Sequence, residues 1–173
     1  CVMHRTIDIA YGTREKRKKV IESDAEIVII NYDGVEVVAG DIQKNNFDLI
    51  AIDEVNHFKN AQSKRWKVMN ALITPNTWVW GMTGTPASQS PVDAYGLAKL
   101  VNPSGVPKYS GSFRDNVMYK VSQFRWMPKP DADRTVHAAL QPAIRFTEEQ
   151  CLDLPEMTYV TRDVPLTAQQ QKY

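Results

Sequence analysis

"LIAIDEVNHFKN", residues 49–60, is the stretch on which the reading of this chain turns. Four apolar residues, Leu49 to Ile52, run straight into two adjacent carboxylates, Asp53 and Glu54. An unbroken apolar block of that length, without polar alternation, is the pattern of a strand buried in a parallel sheet. Two readings of its acidic end stay open on these residues alone. The strand reaches the surface and turns in water, or the pair forms a site that holds a metal ion and activates a water.

Working outward, the same block pattern recurs on both sides. "TIDIAYG" (6–12) reads as a short strand ended by Gly12, and "TREKRKKVIES" (13–23) as a helix with Thr13 as its N-cap. "AEIVIINYDG" (25–34) reads as a strand entering a turn at Asp33-Gly34. "AQSKRWKVMNALIT" (61–74) puts Trp66, Met69, Leu72 and Ile73 on one helical face. "NTWVWGMTGTP" (76–86) is a further strand running into a glycine-containing turn; Trp78 and Trp80 are expected to face the core and a packed helix. "SPVDAYGLAKLVNP" (90–103) is a helix with Ser90 as N-cap and Pro91 in its first position, closed by Asn102-Pro103. Strand and helix alternating at this spacing predict a parallel α/β unit. From about Lys108 the pattern changes to a helical extension, with "FRDNVMYKVSQF" (113–124) helical, "RWMPKPDADR" (125–134) a proline-broken loop, and a helix starting at Thr167.

Composition narrows the function classes. The 173 residues fit one ordinary domain, and 43% hydrophobic with 24% charged residues is a soluble globular balance. The apolar blocks are strand-sized, far below the roughly 18 residues of a membrane span. A formal net charge of +1 leaves any nucleic-acid contact to local patches such as "REKRKK" (14–19), which also reads as the solvated face of a helix. Cys1 and Cys151 show no C-x-x-C spacing, which excludes a zinc site or disulfide framework and points to a reducing, intracellular setting. Cys151 reads as a buried or semi-buried structural thiol. His4, His57 and His137 are too scattered for a histidine metal centre.

In open α/β sheets, ligand sites gather at the C-terminal ends of strands. Asp53-Glu54 ends one strand and "TGTP" (83–86) follows the next, so neighbouring strands would bring the two into one crevice. An aspartate there can hold Mg²⁺ through retained waters, and a glutamate beside it can deprotonate the attacking water. That division of labour suits phosphoryl transfer.

"IDEVNHFKN" resembles the DEAH-type box of superfamily 2 helicase-like ATPases, and "GMTGTPASQSPVDAYGLAKLVNP" resembles motif III of their Swi/Snf subgroup. "YGTREKR", "IVIINYDG" and the tail "LPEMTYVTRDVPLTAQQQKY" resemble further family segments in the same order. The resemblance implies a Swi/Snf-type DNA translocase, with this chain as the second half of its first RecA-like lobe. It implies a partial three-layer α/β/α unit with a mainly parallel sheet, residues 1–107 forming the lobe half and 108–173 the helical extension and exit.

By the same resemblance, Asp53 holds Mg²⁺ through water and Glu54 is the general base toward the water attacking the γ-phosphate. Thr83, Gly84, Thr85, Asn56 and Gln89 couple nucleotide state to DNA contacts. Asn31 and Tyr32 lie at the DNA backbone, Lys59 and Asn60 brace the box or touch DNA, and Arg14 and Arg17 of the basic helix join the DNA contacts. Two departures stand out. Asn56 occupies the fourth box position, where the family has histidine, with His57 displaced by one; and Gln89 replaces an asparagine. A phosphate cradle G-x-x-x-x-G-K-[ST] is also missing, since none of the eight glycines precedes a lysine.

The expectation is therefore a P-loop upstream of Cys1 and a second lobe with its arginine finger downstream of Tyr173. ATP and Mg²⁺ would serve the parent protein, double-stranded DNA would be its partner, and neither cofactor is expected on this stretch alone. The stretch alone is expected to be inactive and to self-associate through an exposed sheet edge. The alternative is a naturally truncated, non-catalytic module that binds DNA or a protein partner.

Overall fold

A computed structural model of the chain describes residues 4–151, 160–162 and 164–165. Contacts divide the chain into two units, Cys1–Pro142 and Ala143–Tyr173. The helix expected to start at Thr167 lies outside the described residues. Of the second unit, helix α8 (Glu148–Cys151) is described, and Cys151 is exposed rather than buried.

The first unit opens with β1 (Ile7–Ala10), α1 (Arg14–Ile21) and β2 (Ile27–Ile30). β1 and β2 pair in parallel, Ile7 opposite Ile27 and Ala10 opposite Ile30. The Thr13 hydroxyl caps α1 by accepting from the Lys16 amide at 3.4 Å. After β2, where the sequence suggests a turn, the chain instead forms α2 (Tyr32–Val37) and α3 (Ala39–Asn45). The dipeptide Asp33-Gly34 is turn-like only locally. Here Val35, Val38 and Ile42 are buried in the core, and that burial outweighs the turn preference. Asn46, in the left-handed region at φ 52°, ends α3.

β3 (Leu49–Ile52) then leads through a 3-10 turn at Val55–Phe58 to α4 (Lys64–Leu72), capped by Ser63, and to β4 (Trp78–Gly81). β3 and β4 pair in parallel, Leu49 opposite Trp78 and Ile52 opposite Gly81. α5 (Ala94–Val101) is entered through a capping box: the Ser90 hydroxyl accepts from Val92 N, and the Asp93 carboxylate accepts from the Ser90 amide at 3.3 Å. These elements make a partial RecA-like α/β unit built on parallel strand pairs.

One set of strand side chains faces a helical core. Ala10 and Ile52 are buried, and Val28, Ile30, Ile50 and Val79 pack beside them against Ile21, Val38, Met69 and Leu97. The alternate positions are open. Trp78 and Trp80 are 74% and 60% exposed, and both lie on one face because strand side chains two apart point the same way. The expectation that one of them is buried is therefore corrected.

A second core joins α5 to the extension through Tyr95, Ala98, Phe113, Val117 and Val136. The extension comprises α6 (Ser110–Val117), β5 (Met118–Lys120), β6 (Trp126–Pro128) and α7 (Ala132–Leu140). The helix expected over 113–124 stops at Val117, because Met118–Lys120 pairs antiparallel with Trp126–Pro128. Trp126 is a strand residue with the Arg114 guanidinium 4.1 Å over its ring. Among the described residues, no helix is long and apolar enough to cross a membrane.

Candidate functional site

β3 delivers the acidic pair. Ile52 is buried, whereas Asp53 and Glu54 are exposed. Glu54 takes a left-handed backbone at φ 46°, ψ 52°, which is uncommon for a residue with a Cβ. Its amide donates to Asp53 Oδ1 at 3.0 Å. The turn is locked to β4 by two backbone bonds: Met82 N donates to Ile52 O, and Val55 N to Met82 O, each at 2.9 Å. Asp53-Glu54 and the segment beginning at Thr83 therefore leave neighbouring parallel strands at the same end, as the spacing predicts. In that segment the Thr85 amide donates to Thr83 Oγ1 at 3.2 Å, and Gly84 is exposed with open space beside it.

Two contacts hold the box against the following helix. The Lys59 ammonium donates to Gln89 Oε1 at 3.2 Å, joining two residues for which the family resemblance implies DNA contact and coupling. A Cβ on Gly96 would lie 2.2 Å from the Phe58 carbonyl oxygen, so only glycine lets α5 approach the box this closely. Trp66 Nε1 reinforces the contact by donating to Gly96 O at 2.8 Å. Asn60 Oδ1 accepts from the Gln62 amide at 2.9 Å. Among the described residues, the buried Asn56 Oδ1 has no hydrogen-bond partner, at the box position where histidine is usual for the family.

Tyr32 reaches the same place from β2. Its hydroxyl donates to the Asp53 carbonyl. Its ring lies 5.2 Å edge-on from Phe58 and 5.7 Å from His57, with the Arg65 guanidinium 5.6 Å above it. Burial pushes the Tyr32 phenol above its ordinary value, and the negative charges of Asp53 and Glu54 push it further the same way. Arg65 also bonds the Asp33 carboxylate at 3.1 Å. Tyr32, Asp33, His57 and Arg65 line a hollow of about 260 Å³ that also includes Phe58 and Met69. Arg65 and His57 carry no sequence signal for this role. The 3-10 turn carries His57 and the start of α4 carries Arg65 to Tyr32, the first residue of α2, a helix the sequence pattern does not reveal.

The basic helix divides. Arg14 is exposed and bonds Asp41 Oδ2 at 3.4 Å. Arg17 is 9% exposed and turned inward. Its guanidinium donates to Ala10 O and Gly12 O at 2.9 Å each and to Asn31 Oδ1 at 2.8 Å. Arg17 and Asn31, both expected at the DNA backbone, are bonded to each other, Arg17 buried and Asn31 exposed. Their placement makes them a clamp over the ends of β1 and β2.

Among the described residues, no cluster of three or more metal-ligating side chains exists. Asp53 Oδ2 and the Glu54 carboxylate accept no bond from the described residues, so this donor set fits Mg²⁺ held mostly by water and phosphate oxygens rather than by a protein cage.

The chain belongs to the SNF2-related domain family, whose sequence profile matches residues 3–173. It is similar to the "DNA repair and recombination protein RAD54-like" of Gallus gallus, 26% identical over 108 residues, which is 62% of this chain and 14% of that protein. It is also similar to the Homo sapiens protein of the same name, 22% identical over 144 residues, 83% of this chain and 19% of that protein. The chain therefore spans less than a fifth of either relative's length.

Proposed function

We infer that the chain carries the water-activating and coupling part of an ATP-hydrolysing site in a protein that moves along double-stranded DNA. What supports this reading above all is the placement of Asp53-Glu54 and the Thr83–Thr85 turn at one end of neighbouring parallel strands, tied by the Met82 backbone. Glu54 accepts the proton of the attacking water. Asp53 holds the hydrated metal, and Mg²⁺ when bound supplies charge neutralisation at the phosphates.

Thr83, Gly84, Thr85, Asn56 and the Lys59–Gln89 contact pass the state of the site to α5 and the DNA-facing surface. Asn56 Oδ1 is the acceptor that a completed site satisfies. Arg14, Lys59 and Asn60, all exposed, are the backbone-phosphate contacts, sequence-independent and weakened by salt. Tyr32 acts by bracing Asp53, and residues 108–173 form the exit of the lobe. The phosphate cradle and the second RecA-like lobe come from other polypeptide.

The test is Glu54→Gln in protein carrying both lobes. ATP turnover falls by about two to four orders of magnitude, the usual contribution of a positioned general base. ATP and DNA binding stay unchanged. Unchanged turnover would refute the assignment and favour a binding module.

A further inference from the structure

The β5–β6 hairpin is anchored at its base and bare at its tip. Lys129 N donates to Val117 O at 2.9 Å, Lys129 Nζ donates to Asp115 O at 2.6 Å, and the Arg114 guanidinium lies over the Trp126 ring. Beyond that base, residues 119–125 are all exposed. The tip is closed by Val121 N donating to Arg125 O at 2.8 Å and Arg125 N to Ser122 O at 3.4 Å. Phe124 sits in this turn and, at 89%, is the most exposed large apolar side chain among the described residues. Tight turns select glycine, proline, asparagine, aspartate and serine for conformational reasons, and phenylalanine offers none of them. A ring in water also contributes nothing to the core. Folding therefore does not account for Phe124.

Charge points to a partner. Residues 116–130 contain Lys120, Arg125 and Lys129 and no acidic residue, in a chain whose formal net charge is only +1. Lys120 pairs across the hairpin with Trp126 and so leaves from the same face as that ring. The ladder continues to Val121 and Arg125, so Arg125, next to Trp126, leaves from the opposite face. Among the described residues neither cation is in an ion pair. The tip thus offers one bare ring with an unneutralised cation on each side of it.

We propose that the β5–β6 hairpin is a contact for single-stranded DNA, with Phe124 stacked on an unpaired base and Lys120 and Arg125 on the phosphates that flank it. A base presents a flat face to the ring, and the backbone on either side of that base carries the negative charge the two cations match. The contact is blind to sequence, because every base has such a face. A closed duplex covers its base faces by stacking and leaves the ring no partner. A lipid surface fits less well, since Ser122 and Gln123 share the tip and would lose their hydration along with the ring. The inference rests on the reading above only in taking DNA as the partner; the contact is separate from the Asp53–Glu54 site and from Arg14, Lys59 and Asn60.

The experiment titrates the full 173-residue chain into a single-stranded DNA oligonucleotide of about 16 nucleotides with 2-aminopurine at its centre, and into a blunt duplex of the same sequence. Wild type is expected to bind the single strand and quench the 2-aminopurine, the signature of stacking. Phe124→Ala should abolish the quench and weaken single-strand binding by roughly 5- to 150-fold, the range for removing one stacked aromatic. Its duplex affinity and thermal unfolding should match wild type. Phe124→Trp should keep both quench and affinity. Lys120→Ala and Arg125→Ala should each reduce the salt slope of single-strand binding by about 0.7, and Phe124→Ala should leave that slope where it is. Four results would each overturn the proposal: no single-strand binding by wild type, equal single-strand affinity of wild type and Phe124→Ala, an equal loss on the duplex, or Phe124-dependent binding to phosphatidylserine vesicles in place of the oligonucleotide. The two readings fail separately. If Glu54→Gln leaves ATP turnover intact while the Phe124-dependent quench persists, the ATPase assignment falls and the hairpin contact stands; the reverse pair of results removes the hairpin contact alone.

Discussion

The two parallel pairs are built alike and end differently. At the C-terminal ends of β1 and β2, a buried arginine donates through Nε and Nη1 to Ala10 O, Gly12 O and Asn31 Oδ1, so those donors are used by the fold itself. At the ends of β3 and β4, two carboxylates are exposed, Glu54 holds a left-handed backbone, and Asn56 Oδ1 has no partner among the described residues. Polar groups whose bonds are all made inside the fold hold it together. Polar groups left available on a rigid frame are the ones that can serve a ligand. The difference separates the arginine of a structural clamp from the carboxylates of a candidate site, although both lie in motifs that the family resemblance assigns to function.

Arg17→Met should have the largest effect on stability. It strands three acceptors, and denaturant unfolding should report a loss of about 3 kcal/mol, near 1 kcal/mol for each. Arg17→Lys should recover little, because one ammonium cannot span three acceptors that a planar fork reaches. If Arg17→Met instead weakened DNA binding at unchanged stability, the distinction between the two ends would break.

Gly34→Ala sharpens the same point. Alanine normally improves a helix position by about 1 kcal/mol over glycine. Here a Cβ would fall 2.0 Å from Arg17 Nη1 and 2.6 Å from Asn31 Oδ1, so the substitution should destabilise. In an Arg17→Met background the penalty should shrink to what the Asn31 contact imposes, a coupling that a double-mutant cycle measures directly.

Tyr32→Phe should cost about 1 kcal/mol, through loss of the bond to the Asp53 carbonyl. The raised phenol also sets a pH signature. The folded state holds that proton more tightly than the unfolded chain does, so its stabilising contribution is whole below the ordinary value of 10.0. It is lost as pH rises through the higher folded value. Unfolding of Tyr32→Phe above pH 10 should lose that part of the wild-type pH dependence.

Trp78→Ser should change stability least, within about 0.5 kcal/mol, since the ring is 74% exposed on the open face of β4. A loss comparable to that of Arg17→Met would mean that this face is covered in solution.

Much of the fold was legible because it rests on local signals. The apolar blocks 27–30 and 49–52 and the Thr13 and Ser90 caps all encode their structure within a few residues. The acidic pair and the Thr83–Thr85 turn were legible as neighbours because parallel strands in sequence tend to lie together. The rest was not local. α2 and α3 override a turn signal through buried Val35, Val38 and Ile42, and the inward turn of Arg17 depends on Asn31 and on the space that Gly34 leaves. The open side of Trp78 and Trp80 follows from which face the helices cover, and no window of sequence records that.

The most direct measurement sets one substitution against both ends of the comparison. Glu54→Gln would be assayed for DNA-stimulated ATP turnover in protein carrying both lobes, and for thermal unfolding in the 173-residue chain. The account predicts a turnover loss of about two to four orders of magnitude with an unfolding midpoint moved by no more than about 1 °C. Retained turnover, or a midpoint drop as large as that of Arg17→Met, would contradict it.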